Sequence, residues 1–489
     1  MIDYLCERLS LSRRELACLL ALFVVSLPAV TPRIYASDEI EYFAYLRSLW
    51  FDHDLSFDNE YRYFHERNIA RLEGFYETFL VPETETEHRL NFGTIGSALL
   101  WLPFYAVADI VVRAMRALGS SVAADGFSRP YVASVAYGSA FYGFLSILLS
   151  IAAARRVTLT NVPGVYRLAR NAPIAAGVAV WLGTPLLFYM YVAPPFSHAC
   201  SAFAVALFVT IWLHVRRAWS VRGSIVLGLS AALMTMVREQ DVFFALPVAA
   251  DFIVTAARGA HEKGKGKREK GKTAGAPITV LAGCAAFALG ILPQLLAYRA
   301  INGHFGPARV VMRKMNWTAP HALEVLASLS HGFFLWTPLA ALALVGLVLL
   351  AMRGEPASRR VGLIALLMFA LQLYVSGSIE SWTVAGAFGQ RRFVGLTILL
   401  VVGLASLWNA LGWRALRLAL SVAVVVCTWW NLALIAEFGT RMMDRQRLEL
   451  GRNAYDAFIT LPRMGPELAW RYLSERESFY RKPSPGNGR

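Results

Sequence analysis

Long apolar runs recur along most of this chain, and they restrict its fold more than any other feature of the sequence. The chain has 489 residues, 56% of them hydrophobic, and several runs approach the roughly 20 apolar residues that cross a bilayer as a helix. Lipid offers no water to bind backbone polar groups, so only helices and closed barrels can span it. The runs are too continuous for the alternating pattern of barrel strands. The sequence therefore predicts an all-α polytopic membrane protein.

Eleven of these runs are predicted to be transmembrane helices. They lie at 16–30, 131–154, 172–192, 199–215, 223–237, 242–257, 277–298, 333–352, 361–378, 393–411 and 415–436. Another apolar stretch, at 93–118, is interpreted as a re-entrant or interfacial helix. If it crossed the membrane alone, every later arginine cluster would face outside, against the positive-inside rule.

This arrangement divides the chain into three parts. We expect a cytoplasmic tail at 1–15, a catalytic transmembrane domain at 16–436 and an amphipathic extracytoplasmic tail at 437–489. Within the transmembrane domain, residues 35–130 form a large first extracytoplasmic loop with juxtamembrane helices. Residues 258–276 form a basic cytoplasmic loop, whose composition suits contact with anionic lipid.

The excess positive charge of the chain falls in the segments that this topology places inside. These segments are 1–15, 153–171, 216–222, 258–276, 353–360 and 412–417. They hold 22 of the 48 Lys and Arg but 6 of the 33 Asp and Glu, so the remainder of the chain is nearly balanced. This asymmetry is typical of membrane proteins. No basic face with interleaved aromatic residues indicates a nucleic-acid site.

The acidic and aromatic segment at 37–61 directly follows the first span, and its opening residues are the strongest candidates for catalysis. It reads SDEIEYFAYLRSLWFDHDLSFDNEY and begins with Asp38 and Glu39. A carboxylate at the membrane boundary can take the proton of an acceptor hydroxyl as that oxygen attacks. Alternatively, Asp38 caps the helix that follows. The two roles are compatible.

A second acidic group lies further along the same segment. Asp52 and Asp54 flank His53, and two carboxylates beside a histidine could bind a divalent metal. They could also bind hydroxyl groups of the substrate, or simply be solvated turn residues. We predict a reaction that needs neither metal nor cofactor, with a metal at Asp52 and Asp54 as the alternative.

Cations at the ends of predicted outer loops are candidates for binding a phosphate. Arg238 opens a four-residue polar turn between two spans, and its planar guanidinium suits a lipid-linked phosphate. The alternative is an ordinary hairpin turn in which Arg238 pairs with a neighbouring carboxylate. Arg391 and Arg392, with Lys314 in the loop 299–332, also lie outside against the charge bias. They predict an anion-binding site, or else contact lipid headgroups.

Two further side chains are predicted to contact substrate. His198 lies in the short outer turn 194–198 and could approach a phosphate, although such a histidine is often merely solvated. Trp382 precedes the arginine pair in its loop. A literal GxxxxGK[ST] match at 266–273 lacks the strand and helix that a phosphate-binding loop requires, and we assign it no nucleotide.

These motifs together resemble the GT-C superfamily of membrane glycosyltransferases. The resemblance lies in the first helix, an outer loop opening with Asp38 and Glu39, the R-S-L, D-x-D-L and Tyr pattern at 47–61, and hairpins ending in arginine. HGFFLWTP at 331–338 and SWTVAGAFGQRRF at 381–393 look like motifs of bacterial relatives. The similarity covers about 15–436, and the most similar branches are the protein O-mannosyltransferases and the lipid A aminoarabinose transferases.

The resemblance implies that a sugar leaves a polyprenyl phosphate on the extracytoplasmic face and is transferred with inversion to an acceptor hydroxyl. Asp38 matches the first-loop aspartate that acts as base. Arg238 falls where mannosyltransferase-like proteins keep a basic residue at the end of a helical hairpin. The expected location is a bacterial inner membrane, with about 11 spans in a GT-C-like bundle.

Two departures from the family pattern leave the substrates open. The Lys/His-Pro-Pro-Leu motif is missing from the first loop, where 88–101 reads HRLNFGTIGSALLW, and the hairpin turn reads VREQD instead of Thr-Lys-Gly-Pro. The sugar and the acceptor, whether protein, lipid or glycan, are therefore not specified. Two other classes remain as alternatives: a transporter or lipid flippase, and a polysaccharide polymerase or ligase.

Overall fold

A computed structural model of the chain describes residues 6–7, 9–69, 74–158, 167–264, 276–384 and 386–479. The structure is 75% helix, and within these ranges β pairing is limited to the isolated bridges Glu83–Arg89 and Met315–Ile379. The prediction of an all-α fold is confirmed. Part of the basic loop predicted at 258–276, and parts of both predicted tails, lie outside the described residues.

The described residues in the first half of the chain form nine α-helices. They are α1 (Arg13–Ser26), α2 (Ser37–Arg47), α3 (Asp58–Glu66), α4 (Gly96–Ala117), α5 (Arg129–Thr158), α6 (Arg167–Leu182), α7 (Leu186–Tyr191), α8 (His198–Val215) and α9 (Val221–Val237). Shorter helical turns separate some of them. These are Leu27–Ala29, Ser48–Asp52, Tyr76–Leu80 and Glu239–Phe244.

The described residues of the second half form twelve more. They are α10 (Ala245–Gly264), α11 (Ala276–Gly290), α12 (Leu292–Asn302), α13 (Arg309–Arg313), α14 (Ala322–Ala327), α15 (Phe333–Trp336), α16 (Leu339–Arg353), α17 (Pro356–Ser378), α18 (Thr397–Ala410), α19 (Arg414–Thr440), α20 (Leu450–Tyr455) and α21 (Leu461–Ser474). The short turns here are Arg391–Leu396, Asp456–Thr460 and Arg476–Phe479.

The described helices support a membrane protein, although the number of spans is smaller by length than predicted. Seven helices are long and apolar enough to cross a bilayer, and α11 with α12 makes an eighth as a pair bent by 42°. A proline next to the break explains the bend. Each of the eleven predicted spans falls on helical residues, but 172–192, 277–298 and 333–352 are each divided between two helices, and several helices are short. The count of eleven therefore stays a prediction.

Helix α4 corresponds to the stretch predicted to be re-entrant or interfacial. It is one uninterrupted helix, long and apolar enough to span. However, the chain on both sides of it contacts the same short helix, α2. Before α4, the Tyr45 hydroxyl donates to the Gly93 carbonyl at 3.4 Å, and after α4, Arg47 Nε donates to the Asp125 carbonyl at 3.3 Å. Both flanking segments therefore return to α2, and the re-entrant or interfacial placement of α4 stays a prediction.

Buried ion pairs join several helices at the other end of the bundle. At the start of α1, Glu15 is 2.7 Å from Arg155 near the end of α5. Asp251 in α10 is 3.0 Å from Arg216, which ends α8, and 2.6 Å from Arg360 in α17. These arginines all come from segments that the charge pattern predicts to be cytoplasmic. The contacts thus bring those segments to one end of the molecule.

Small residues allow two central helices to touch through their backbones. A Cβ atom on Gly346 of α16 would lie 1.8 Å from the Gly403 carbonyl oxygen of α18, and one on Gly403 would lie 2.1 Å from the Ala343 carbonyl oxygen. No side chain fits at such a distance. Close helix packing through small residues is typical of membrane bundles, where there is no hydrophobic drive between helices in lipid.

The C-terminal tail folds back onto the connection between α1 and α2. The Tyr472 hydroxyl of α21 donates to the Ala29 carbonyl at 2.9 Å, and Arg476 donates to the carbonyls of Pro28 and Val30. The tail therefore lies at the same end of the bundle as the acidic segment that follows α1.

Candidate functional site

Two neighbouring carboxyl groups in the first turn of α2 make different contacts. Glu39 Oε2 accepts from the backbone N–H groups of Tyr35 and Ala36, at 2.9 and 3.0 Å. A side chain at the third helical position that reaches back to the N-cap backbone is half of a capping box. Glu39 is fully buried, and burial raises its pKa to about 8. The capping role proposed for Asp38 thus falls to Glu39, which was predicted to be catalytic.

Asp38 instead forms an ion pair with one of the predicted anion-binding residues. Its Oδ2 atom is 2.8 Å from Arg391 Nη1, and its side chain is 35% exposed. Arg391 begins the turn that leads into α18, and its guanidinium lies 5.4 Å from the ring centre of Phe196. The fold therefore brings together Asp38 and Arg391, which lie far apart in the sequence.

Arg238 reaches the same region from the end of α9. Its backbone leaves the helical conformation, and Nη1 lies 2.8 Å from His198 Nδ1 and 3.4 Å from Ser197 Oγ. Because an arginine N–H can only donate, His198 Nδ1 accepts, and the neutral ring carries its proton on Nε2. This contact connects two sequence-predicted residues from different loops.

The carboxylates beside Arg238 have partners of their own. The Tyr298 hydroxyl donates to Glu239 Oε1, and the Ser201 hydroxyl donates to Asp241 Oδ2 at 2.7 Å. The alternative interpretation, a hairpin turn in which Arg238 pairs with a neighbouring carboxylate, is therefore not what the side chains show. Asp241 does interact electrostatically with Arg238, without a direct ion pair.

Arg392 is the third cation of this group. Its carbonyl accepts from Gln372 Nε2 at 2.8 Å, and its guanidinium donates to the carbonyl and hydroxyl of Ser381, both at 3.0 Å. It interacts electrostatically with Arg391, Arg238 and Asp38. We call Arg238, Arg391 and Arg392 the arginine cluster.

The arginine cluster has more positive than negative charge. If Asp38 and Asp241 are both ionised, three guanidinium groups still exceed two carboxylates. Burying like charges without compensation is costly. In addition, Arg238 Nε and His198 Nε2 are buried without a hydrogen-bond partner, and an unsatisfied buried donor costs about 1–3 kcal/mol. The arrangement is therefore suited to binding an anion.

A large, mainly apolar cavity of about 830 Å³ lies near the arginine cluster, although none of the three arginines lines it. Side chains of α7, α19 and α21 form much of its wall. Tyr189 and Phe196 line it, and their rings also lie 4.4 and 5.6 Å from the ring of His198. The two rings thus contact both the apolar cavity and His198, so the cavity lies next to the polar groups.

A smaller cavity of about 440 Å³ lies on another side of Asp38. We call it the aromatic cavity. It is lined by Ser37, Asp38, Glu41, Tyr42, Gly74, Phe75, Thr78, Phe79, Phe92 and Gly93. Residues three and four apart share a face of a helix, so Asp38, Glu41 and Tyr42 present one polar face of α2 to this space. Asp38 therefore borders the arginine cluster and the aromatic cavity at once.

Asp52 and Asp54 are occupied within the first loop. Asp52 pairs with Arg47 and accepts from Asn59 Nδ2 at 2.7 Å, while Asp54 accepts from the Ser48 hydroxyl at 2.6 Å. Within the described ranges, no group of three or more His, Cys, Asp or Glu side chains is arranged to hold a metal ion. Substrate binding by these two residues stays a prediction, as does metal independence.

Lys314 and Trp382 lie at the edges of the site. The Lys314 ammonium is 5.8 Å from the ring centre of Phe92, which places it beside the aromatic cavity. Trp382 stacks on His321 at 5.3 Å, and its carbonyl accepts from Gln390 Nε2 at 3.2 Å. Trp382 thus supports the loop that carries Arg391 and Arg392.

Sequence reasoning missed several residues that shape the site. Glu41 could have been found, because it lies one helical turn after Asp38. No such signal exists for Tyr189, Phe196 and Phe92. The sequence pattern of an aromatic residue in an apolar run is the same whether the residue packs in a core or lines a cavity.

Comparison of the chain with models of known protein families, with curated proteins and with solved structures found no match. The chemistry of the site is therefore inferred from the chain's own residues.

Proposed function

We propose that this protein is an inverting membrane glycosyltransferase of the GT-C type, which transfers a sugar from a polyprenyl phosphate to an acceptor hydroxyl. The observation that carries the proposal is the position of Asp38. This carboxylate borders a cationic cluster beside a large apolar cavity on one side and a small aromatic cavity on the other. A transferase needs such a group between its donor and its acceptor.

The donor side is supported by the match between charge and apolarity. A polyprenyl phosphate has an anionic head and a long hydrocarbon chain. The arginine cluster, with its unpartnered Arg238 Nε and His198 Nε2, provides donors for the head. The cavity lined by Tyr189 and Phe196 provides a place for the first part of the chain. Arginine suits phosphate because its planar fork can bind two oxygens together.

The transfer is a single displacement at the anomeric carbon. The acceptor oxygen forms a new bond to that carbon while Asp38 takes its proton. The bond between the carbon and the phosphate oxygen breaks, and the phosphate leaves with the electron pair. Guanidinium groups fixed near the leaving oxygen stabilise the charge that develops there. Attack opposite the leaving group inverts the configuration.

A lipid flippase is the main competing class, because an arginine cluster beside an apolar cavity could also hold a lipid phosphate for transport. The aromatic cavity favours transfer. A flippase needs a site for the lipid phosphate and its chain, but it does not need a further cavity that shares Asp38 with the arginine cluster. We therefore propose group transfer, on the extracytoplasmic face of a bacterial inner membrane.

Native mass spectrometry of the purified protein tests the donor class. We expect wild type to retain a polyprenyl phosphate or its glycosylated form, and Arg238→Gln to lose it. The matched control is Arg309→Gln, which removes an exposed arginine that pairs with Glu85 away from the cluster, and it should retain the lipid. Bulk phospholipid alone in all three proteins would contradict the proposal.

A further inference from the structure

The walls of the aromatic cavity combine two kinds of surface. One wall is the polar face of α2, with the carboxyl groups of Asp38 and Glu41. The other is a continuous set of aromatic rings: Phe75 and Phe79 are 5.0 Å apart between ring centres, and Phe79 and Phe92 are 5.7 Å apart. Its volume of about 440 Å³ is in the range of small-molecule sites. It can therefore hold one small molecule or the end of a polymer.

Glu41 is the polar group that most restricts what the cavity can bind. Its Oε2 atom accepts from the backbone N–H of Phe92 at 2.5 Å, which fixes the carboxyl group across the cavity wall. Burial, reinforced by the charge of Asp38, raises the pKa of Glu41 to about 8. At neutral pH Glu41 then carries a proton and can donate a hydrogen bond. A buried carboxylic acid that stays neutral in order to donate is a known device of enzyme sites.

The charges around the cavity argue against an anionic ligand. None of the described residues that line it is basic, and the negative charge of Asp38 is paired with Arg391, which lies outside the lining. Lys314 contacts Phe92 from outside the lining. A phosphorylated or acidic acceptor would therefore find no cation in the lining to pair with, whereas an uncharged one needs none.

We infer that the aromatic cavity is the acceptor subsite and that it binds an uncharged saccharide, with one hydroxyl at Asp38 and another accepting a hydrogen bond from Glu41. This inference rests on the proposed function. A sugar ring has an apolar C–H face that stacks on aromatic rings and a rim of hydroxyls that need polar partners, and the cavity offers both. A protein acceptor would present a hydroxyl on a peptide and has no use for an aromatic wall of this size.

Saturation-transfer NMR on the full-length protein in nanodiscs can detect such binding at millimolar affinity. The probes are the methyl glycosides of glucose, galactose and mannose, methyl glucuronide, and a peptide containing Ser and Thr. We expect transfer to ring C–H protons of at least one neutral glycoside. No transfer to any neutral glycoside, or binding of the peptide or the glucuronide alone, would overturn the inference.

Variants locate the binding. Phe92→Leu keeps an apolar side chain but loses the ring, and it should weaken glycoside binding about tenfold. Glu41→Gln keeps a donor and should bind as wild type does, whereas Glu41→Leu should not bind. The control is Tyr374→Phe, which removes an exposed hydroxyl that donates to the Trp317 carbonyl. Unchanged binding in both Phe92→Leu and Glu41→Leu would overturn the inference, and thermal unfolding confirms that each variant is folded.

The same preparations separate this inference from the proposed function. Phe92→Leu should still retain the donor lipid in mass spectrometry, because the ring lies outside the arginine cluster. Lipid retention without saccharide binding would overturn the acceptor inference alone. Saccharide binding at the cavity without any retained phosphate lipid would count against the proposed donor and leave the cavity assignment in place.

Discussion

At the scale of single residues, adjacent side chains of the same type have different environments. Asp38 is partly exposed and pairs with Arg391. Glu39 is fully buried and holds the chain that enters α2. A helix turns by about 100° per residue, so one of two consecutive carboxyl groups faces the site and the other faces the interior. Substitutions of Asp38 and Glu39 should therefore have different effects, the first on the reaction and the second on stability.

Replacing Glu39 should change stability and its dependence on pH. The pKa of Glu39 is about 8 when folded and 4.5 in the reference state. The stability that it contributes is therefore full below about pH 4.5 and is lost as pH rises towards 8. Glu39→Gln keeps an oxygen for the two N–H groups and cannot ionise, so thermal unfolding should vary less with pH. Glu39→Ala should lose about 1–2 kcal/mol. A pH profile of Glu39→Gln identical to wild type would contradict this role.

At the scale of helices, the central packing depends on contacts that admit no side chain. The carbonyls of α16 and α18 lie where Cβ atoms would otherwise be. Such an interface cannot adjust by rotating a side chain, because the obstacle is backbone. The helices that lead to the arginine cluster are thus held by small residues some distance from it.

Valine at this interface should therefore destabilise the bundle. We expect Gly346→Val and Gly403→Val each to lower the free energy of unfolding by about 3 kcal/mol or more, since overpacking of a rigid contact separates the helices. Thermal unfolding in detergent measures the effect. Gly412→Ala is the control, because a Cβ there has nothing within 4 Å. Equal stability of Gly403→Val and the control would show that the helices are not in this close contact.

At the scale of the whole molecule, contacts between the loops place each of them at one of the two ends of the helix bundle. One end holds the buried ion pairs of Asp251 with Arg216 and Arg360. The other holds the acidic first loop, the arginine cluster and the C-terminal tail. The positive-inside rule assigns the first end to the cytoplasm. Because both flanks of α4 contact α2, we expect the loop after α4 to lie at the outer end.

Labelling of single cysteines with a membrane-impermeant maleimide tests this topology, in a variant whose five native cysteines are replaced. We expect Ala123→Cys, after α4, and Glu477→Cys, in the tail, to react in intact spheroplasts. Ala218→Cys, between α8 and α9, should react after permeabilisation alone. Labelling of Ala123→Cys from the inside would mean that α4 crosses the membrane by itself.

The charged residues of the site could be predicted from the sequence because a charge next to a membrane-spanning segment is energetically costly. Arg238, Arg391 and Asp38 stand out in the sequence because charges at the ends of apolar runs need a reason. In the structure Asp38 pairs with Arg391, and all three interact electrostatically with Arg392. The sequence could not specify which of Asp38 and Glu39 caps α2, because both are good first-turn residues. Nor could it specify the cavities, which depend on contacts between distant segments such as α7 and α21.

The predictability of the fold has a similar limit. Apolar runs indicate helices reliably, and every predicted span falls on helical residues, although three of them are each divided between two helices. Run length does not indicate whether a helix crosses, as α1 and α4 illustrate. The 14-residue α1 is predicted to cross but is shorter than a span, and the 22-residue α4 is long enough but is predicted to be re-entrant or interfacial.

The most direct test of the central claim is the lipid that co-purifies with Asp38→Asn, determined by native mass spectrometry beside wild type. Asparagine keeps the size of the side chain but cannot take a proton from an acceptor. The account predicts that Asp38→Asn binds the donor, does not use it, and accumulates intact glycosylated polyprenyl phosphate, while wild type carries more of the free polyprenyl phosphate. If Asp38→Asn carries the same lipids as wild type and releases free polyprenyl phosphate at the same rate, Asp38 is not the base and the proposed mechanism is wrong.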